Sequence, residues 1–405
     1  MLDLLIKNIG TLATPKGASA RRGAEQNAVE ILENAHIGVE NGHICYVGTG
    51  GVLPEARQII DTRGALVTPG LVDAHTHAVF GGWRQHELAL KCSGMGYLDI
   101  LAIGGGILST VRSTRAASED ELFEKTSGLL EQMLRHGTTT CEIKSGYGLN
   151  LVDEIKQLRV MKRLSDHAKQ DVAATFMGAH AIPEEFKSNR GGYISLLIDT
   201  IMPQAAKYAG FADVFCETGA FSPDETRQIL IAARKYGFKL KLHADEIDPI
   251  GGAELGAEIG VISAEHLIQA SDSGIMAMAE RGVIAVLLPA TSLYLDKPFA
   301  RARDMIKQGV AVAIATDFNP GSSPNFNLQL PMSLACIKYK LTPKEALSSV
   351  TLNAAAAIGL AERLGSIEEG KQADIVIWNC SDLNFLFYRY GNNQVHTVIK
   401  KGEAV

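Results

Sequence analysis

The rhythm of apolar and polar positions changes twice along the 405 residues. Up to about residue 63 the apolar positions come in short β-rich runs, beginning with Asp3 to Asn8. Ala35 to Gly48 reads as a hairpin turning at Asn41-Gly42. From residue 64, β-branched runs alternate with amphipathic helical stretches. The expected strands are Ala65 to Ala74, Thr138 to Lys144, Val172 to Gly178, Ala212 to Glu217, Phe238 to His243, Val261 to His266, Val283 to Pro289 and Val310 to Asp317. Between them, Glu119 to Arg135, Asp153 to His167 and Asp224 to Tyr236 repeat with helical period, and Ser222-Pro223-Asp224-Glu225 carries a capping box. A last helix is expected from Ala346 to Ile358, capped by Thr342-Pro343-Lys344-Glu345, before strand character returns over Gly365 to Trp378 and Val395 to Lys401.

Eight strand–helix units in the middle of the chain predict a parallel (β/α)₈ TIM-type barrel over residues 64–362. The β-rich ends, 1–63 and 363–405, are expected to join as one small β-sandwich domain beside it. A doubly wound sheet is the alternative. Gly104-Gly105-Gly106 is not read as a nucleotide loop, because no strand immediately precedes it and the Gly-x-Gly-x-x-Gly spacing is absent.

Composition narrows the function classes. An apolar fraction of 46% and a charged fraction of 21% are ordinary for a globular chain with a sizeable core. A net charge of −6 without charge runs argues against nucleic acid as a partner. The start lacks a basic segment and a small-residue cleavage site, so no signal peptide is expected, and no 18-residue apolar stretch predicts a membrane span. Cys45, Cys92, Cys141, Cys216, Cys336 and Cys380 are scattered, which reads as buried free thiols in a reducing cytoplasm.

The chemistry centres on His75-Thr76-His77, at the polar end of the first barrel run. Side chains at i and i+2 of a strand point to one face, so both imidazoles converge as metal ligands must. Catalytic groups of such barrels stand at the C-terminal ends of the strands. Those ends carry His75 and His77, Lys144 followed by Tyr147, His180, Glu217, His243 followed by Glu246, His266, and Asp317. Five of the eleven histidines are in this set, too many for random scatter. His36 and His43 fall in the hairpin and are read as structural. Two histidines, a third histidine and an aspartate suit one zinc or iron ion with an open position. Such an ion lowers the pKa of a coordinated water from about 15.7 towards about 7, the basis of amide hydrolysis and deamination. Glu246 is close enough in sequence to His243 to act as a proton shuttle.

His75-x-His77, His243, His266 and Asp317 on successive strands resemble the amidohydrolase superfamily. So do the flanking β segments and the run Gly365-Ser366-Ile367-Glu368-Glu369-Gly370-Lys371. Many members hold two metals on a lysine of strand four. That strand carries Glu217 and no lysine, which implies one ion; Lys144 on strand two is read as substrate-facing or structural. The resemblance extends through Phe80 to Glu87, Glu142 to Leu149, Phe176 to His180, His243 to Glu246 and Asp317 to Ser322. It implies metal ligation by His75, His77, His243 and Asp317, with catalysis by Glu246, His266 and Asp317. It implies small-molecule substrate contacts from Arg84, Tyr147, His180, Glu246, Asn319, Gly321 and Ser322, and a homodimer. The implied reaction is hydrolysis of a cyclic amide C–N bond by a metal-activated water. Arg84 offers a fork for a substrate carboxylate, and Asn319, Gly321 and Ser322 offer further donors. A deaminase of the same superfamily is the rival reading, but a neutral base needs no carboxylate clamp. A barrel without metal, serving only to bind or assemble, is disfavoured because all four ligands are present.

Overall fold

Gly70 divides the first long apolar run between two sheets. Leu66–Pro69 pairs with the N-terminal strand Leu2–Pro15 and with Ile375–Trp378, while Leu71–Asp73 opens the barrel. The barrel therefore begins at Leu71, not in the expected Ala65 to Ala74 strand. A Cβ at Gly70 would lie 2.3 Å from Thr139 Oγ1, so only glycine lets the chain cross between the sheets here. The computed structural model describes residues 1–95, 99–100 and 104–405.

The barrel sheet runs, in spatial order, through Leu71–Asp73, Thr138–Lys144, Asp171–Ala179, Phe211–Cys216, Lys239–Ala244, Ser263–His266, Ile284–Leu287 and Val312–Ile314, all parallel. First and eighth strands meet through a parallel bridge between Thr76 and Phe318, with His77 N–H donating to the Phe318 carbonyl at 2.8 Å. Closure thus falls at the two segments that carry three of the proposed ligands, His75, His77 and Asp317. The other sheet joins both ends of the chain. The N-terminal strand pairs with Val29–Glu40, which pairs in turn with His43–Thr49, and Ile375–Trp378 pairs with Val395–Lys400. This is the small sandwich domain. Its first hairpin turns at Asn41 and Gly42, both at positive φ (51° and 74°), as a two-residue turn requires.

Local signals placed the helices well. Glu119–Arg135 begins at a capping box on Ser118, and Pro223–Lys235 begins at the expected box of Ser222 and Glu225. The single helix expected over Ala346 to Ile358 is two, Pro343–Ser349 and Leu352–Ala357, because the chain breaks at Val350 and Thr351. Strand character over 365–378 is confined to Ile375–Trp378, and a short helix, Leu383–Tyr388, was not anticipated. Gly106 caps the helix Ile107–Ala116. The expectation of buried thiols holds for Cys141 and Cys216, whereas Cys45 and Cys92 are exposed; all six are unpaired. Among the described residues no helix is long and apolar enough to cross a membrane.

Charged groups join barrel and sandwich. Asp171, at the start of the third barrel strand, accepts from Lys400 Nζ and Gln372 Nε2 at 2.7 Å each, and lies 3.2 Å from Lys401 Nζ. Burial alone would raise its carboxyl, but Lys400 and its neighbours hold it down at about 2, against an ordinary 3.8. A depressed carboxylate stabilises the fold above its unfolded pKa and loses that contribution as pH falls through the folded one. Asp171→Asn is therefore expected to lower stability by about 2 kcal/mol near neutrality, with the gap closing between pH 4 and pH 2. Urea unfolding midpoints of both proteins across that range check this, and a gap independent of pH would contradict it.

Candidate active site

The barrel interior below the site is charged where branched apolar side chains are usual. Lys144, Lys241, Glu142, Asp213 and Glu265 are all buried at 2% exposure or less. Lys144 Nζ lies 2.8 Å from Asp213 Oδ2 and 2.9 Å from Glu142 Oε2. Lys241 Nζ lies 3.0 Å from Glu142 Oε1 and 3.2 Å from Glu265 Oε1. Lys144 is thus structural rather than substrate-facing, and its carboxylate partners outweigh burial and raise its pKa.

Asp213 and Glu265 each use one oxygen downwards and one upwards. Asp213 Oδ1 accepts from His243 Nδ1 at 3.0 Å, and Glu265 Oε2 pairs with His75 Nδ1. A neutral imidazole that donates through Nδ1 presents its Nε2 lone pair on the other side. Burial, then the Lys144 ammonium for His75 and the His266 ring for His243, pushes both histidines well below their ordinary value, so they stand neutral. Burial, then His180, does the same for His77.

His75 Nε2 and His243 Nε2, the ring nitrogens opposite those carboxylates, are buried without a hydrogen bond among the described residues. Such orphaned nitrogens fit an ion. Donors about 2.0–2.1 Å from a tetrahedral ion stand about 3.4 Å apart. His75 Nε2 and His77 Nε2 lie 3.5 and 3.8 Å from Asp317 Oδ1, close to that spacing. Thr291, on the short helix after the seventh strand, fixes the other oxygen by donating to Asp317 Oδ2 at 2.6 Å. Among the described residues, groups that could hold an ion include two trios that meet at His75: His75, His77 and Asp317, which are proposed ligands, and His75, His243 and His266, of which His266 is not. The donor set suits one borderline ion, zinc or iron. A third group, His75, Glu142 and Glu265, has its acids already paired with Lys241.

The rim is held by its own carboxylates. Glu217, directly after the fourth strand, accepts from the N–H groups of Glu246, Ile247 and Asp248 at 3.0, 2.8 and 3.2 Å. It therefore holds the loop that carries Glu246. Glu246 Oε1 stands 3.5 Å from His266 Nδ1. Burial, reinforced by Asp317 and Glu217, pushes its carboxyl up to about 8, and burial lowers His266 to about 4. His266, Leu267 and Asp317 all sit at positive φ (68°, 56° and 53°), a strained geometry common where a site dictates the backbone.

His180 stacks on His77, with ring centres 4.9 Å apart, and its Nδ1 lies 3.2 Å from the Gly146 carbonyl. The buried Tyr147 ring packs against both histidines. Arg84 lies against the last loop, its Nη1 2.0 Å from where a Cβ of Gly321 would stand. The donors expected from the last loop are engaged inside it: Asn319 Oδ1 accepts from the Gly321 and Ser322 N–H groups at 2.8 Å, and Asn319 Nδ2 donates to Ser322 Oγ at 2.9 Å. Asn319 thus shapes the loop, and these amides are not free donors. His86 is exposed at the start of the helix Glu87–Cys92.

Asp213, Glu265, Lys241 and Thr291 escaped the sequence reading. Period two could have found Lys241, which stands two before His243 and so on the same inward face of its strand.

A closed parallel barrel with imidazoles and an aspartate at its C-terminal mouth defines a metal-dependent hydrolase. Residues 66–405 match the amidohydrolase family. The imidazolonepropionase of Bacillus velezensis is 51% identical over 100% of this chain and 97% of its own, and that of Treponema denticola is 54% identical over 91% of each. The chain belongs to the amidohydrolase family, and within it to the imidazolonepropionases. E. coli guanine deaminase superposes with a TM-score of 0.75 over 100% of this chain and 99% of that one, but at 16% identity the likeness is one of fold.

Replacing Asp213 by Asn keeps the volume and removes the charge that fixes His243. Chelator competition is expected to show metal affinity about 10–100-fold weaker, with the fold intact by circular dichroism. Unchanged affinity would contradict the role given to Asp213.

Proposed function

We propose that this protein hydrolyses 4-imidazolone-5-propanoate to N-formimidoyl-L-glutamate, a step of histidine degradation. The observation that carries this reading is the neutral, carboxylate-oriented imidazole cluster, with Arg84 lying against Gly321 in the loop that follows Asp317. Full-length likeness to imidazolonepropionases supports the substrate. In this reading His75, His77, His243 and Asp317 hold one ion, zinc or iron. When bound, the ion polarises the substrate carbonyl and acidifies a water beside it.

The remaining steps belong to the chain's own groups. Arg84 binds the propanoate and aims the ring at the cluster, with Tyr147 and His180 against the ring. Asp317 and His266 orient the attacking water, and Asp317 accepts its proton. His266 steadies the oxyanion that develops as the carbonyl carbon is attacked. Glu246, with its carboxyl raised to about 8, is protonated at neutral pH and donates to the departing ring nitrogen. The C–N bond breaks, the former carbonyl carbon becomes a carboxylate, and both nitrogens stay in the formimidoyl product. No ammonia is released, which separates this reaction from deamination. Asn319, Gly321 and Ser322 shape the wall beside Arg84. We place the protein in the cytoplasm without nucleic-acid partners, a reading supported by its unpaired cysteines and net charge of −6, and as a homodimer on the family resemblance alone.

The test follows the ultraviolet decay of freshly generated imidazolone propanoate, with ammonia scored in the same tube. Decay without ammonia is expected, and Arg84→Ala is expected to raise KM by about 10–100-fold. Ammonia released from guanine or cytosine, with no decay of the imidazolone, would overturn the substrate. Glu246→Gln is expected to lower kcat by about 10²–10⁴-fold while metal affinity stays within about tenfold. Equal loss of both would remove Glu246 from the proton-transfer role.

A further inference from the structure

Arg84 is held from outside by a buried acid. Its Nε donates to Glu87 Oε1 at 3.0 Å and its Nη2 to Glu87 Oε2 at 2.9 Å, a two-pronged pair. Glu87 opens the helix Glu87–Cys92 and is only 1% exposed. Its Oε1 also accepts from the Gly106 N–H at 2.8 Å, so the carboxylate is tied to a second loop. Burial works against the charge, yet Arg84 and the Gly106 amide keep Glu87 below its ordinary carboxyl range. Nη1 carries no bond to a described residue. It lies against Gly321, where an added Cβ would be 2.0 Å from it. Lys91, one turn along the same helix, donates to the Gly321 carbonyl at 2.9 Å.

The guanidinium therefore has one edge committed and one edge open. Its Nε/Nη2 edge is filled by Glu87. At its Nη1/Nη2 end, Nη1 is not bonded to a described residue and takes up the space beside Gly321 that a Cβ would fill. Glu87 cancels the charge of Arg84, and the nearby Lys91 ammonium restores one positive charge to this corner. A fixed fork matches a planar carboxylate better than a neutral group of the same size.

We propose that Glu87 is a positioning residue for substrate recognition: it holds the outer edge of Arg84 so that the Nη1/Nη2 end receives the substrate carboxylate, with Gly321 making room for the guanidinium. The inference rests on the reading of Arg84 as the carboxylate clamp. It makes the selectivity of the site depend on a residue that does not touch substrate.

The experiment uses the metal-loaded full chain and two substrates, imidazolone propanoate and its propanamide analogue. Glu87→Gln is expected to raise KM for the propanoate by about tenfold or more, leaving kcat within about twofold and the turnover of the amide unchanged. Gly321→Ala, which crowds Arg84 from the opposite side without altering Glu87, is expected to raise the same KM, and it keeps the test available if Glu87→Gln fails to fold. Equal losses on both substrates, or a fall in kcat at constant KM, would make Glu87 merely structural and overturn the proposal. An unchanged KM in both variants, while Arg84→Ala raises it, would overturn the proposal and leave the clamp standing. An unchanged KM in Arg84→Ala itself would remove the clamp and the proposal together.

Discussion

The site depends on a balance of buried charge beneath it. Three carboxylates and two ammonium groups share the barrel interior, and none of them reaches water. Any one alone would carry a desolvation penalty of several kcal/mol. Interleaved, each lysine bridges two acids, and two of the acids have an oxygen left for an imidazole. The same arrangement that makes the charges tolerable thus sets the tautomers of His75 and His243. It also fills the space below the histidines with cations of the chain's own, so that the acids there need no second metal.

Above this floor the fold delegates chemistry to loops, and each loop is stiffened by a buried polar group. Glu217 gathers three backbone amides around Glu246, Thr291 fixes one oxygen of Asp317, and Asn319 closes the turn after it. Supporting hydrogen bonds of this kind lock the side chains and loop backbone of the rim. The charged floor beneath the histidines is built separately from these rim loops. E. coli guanine deaminase has the same barrel and sandwich at 16% identity, which is how a shared scaffold is expected to serve different substrates.

Much of this was legible in the sequence because the signals were local. His75-x-His77 at the end of an apolar run, the capping boxes at Ser222 and Thr342, and the Asn41-Gly42 turn each need only a few neighbouring residues to be read. The eight strand–helix units followed from rhythm alone. What escaped were properties of the closed barrel. Glu265 reads as a polar neighbour of His266 until closure brings it under His75, 190 positions away. Asp213 meets Lys144 and His243 only across strands. The division of Ala65 to Ala74 at Gly70 was hidden because both halves are apolar and differ only in which sheet accepts them. Asn319 and its neighbours carry donors in the sequence, yet they spend them on one another.

The claim that the interior charges leave a place for one ion is tested most directly by counting metal. The purified chain is loaded with excess zinc or ferrous iron, desalted, and assayed by atomic emission together with protein concentration. One ion per chain is expected. Two ions per chain would contradict it, because a second could be held only if Glu142 and Glu265 were released from Lys241.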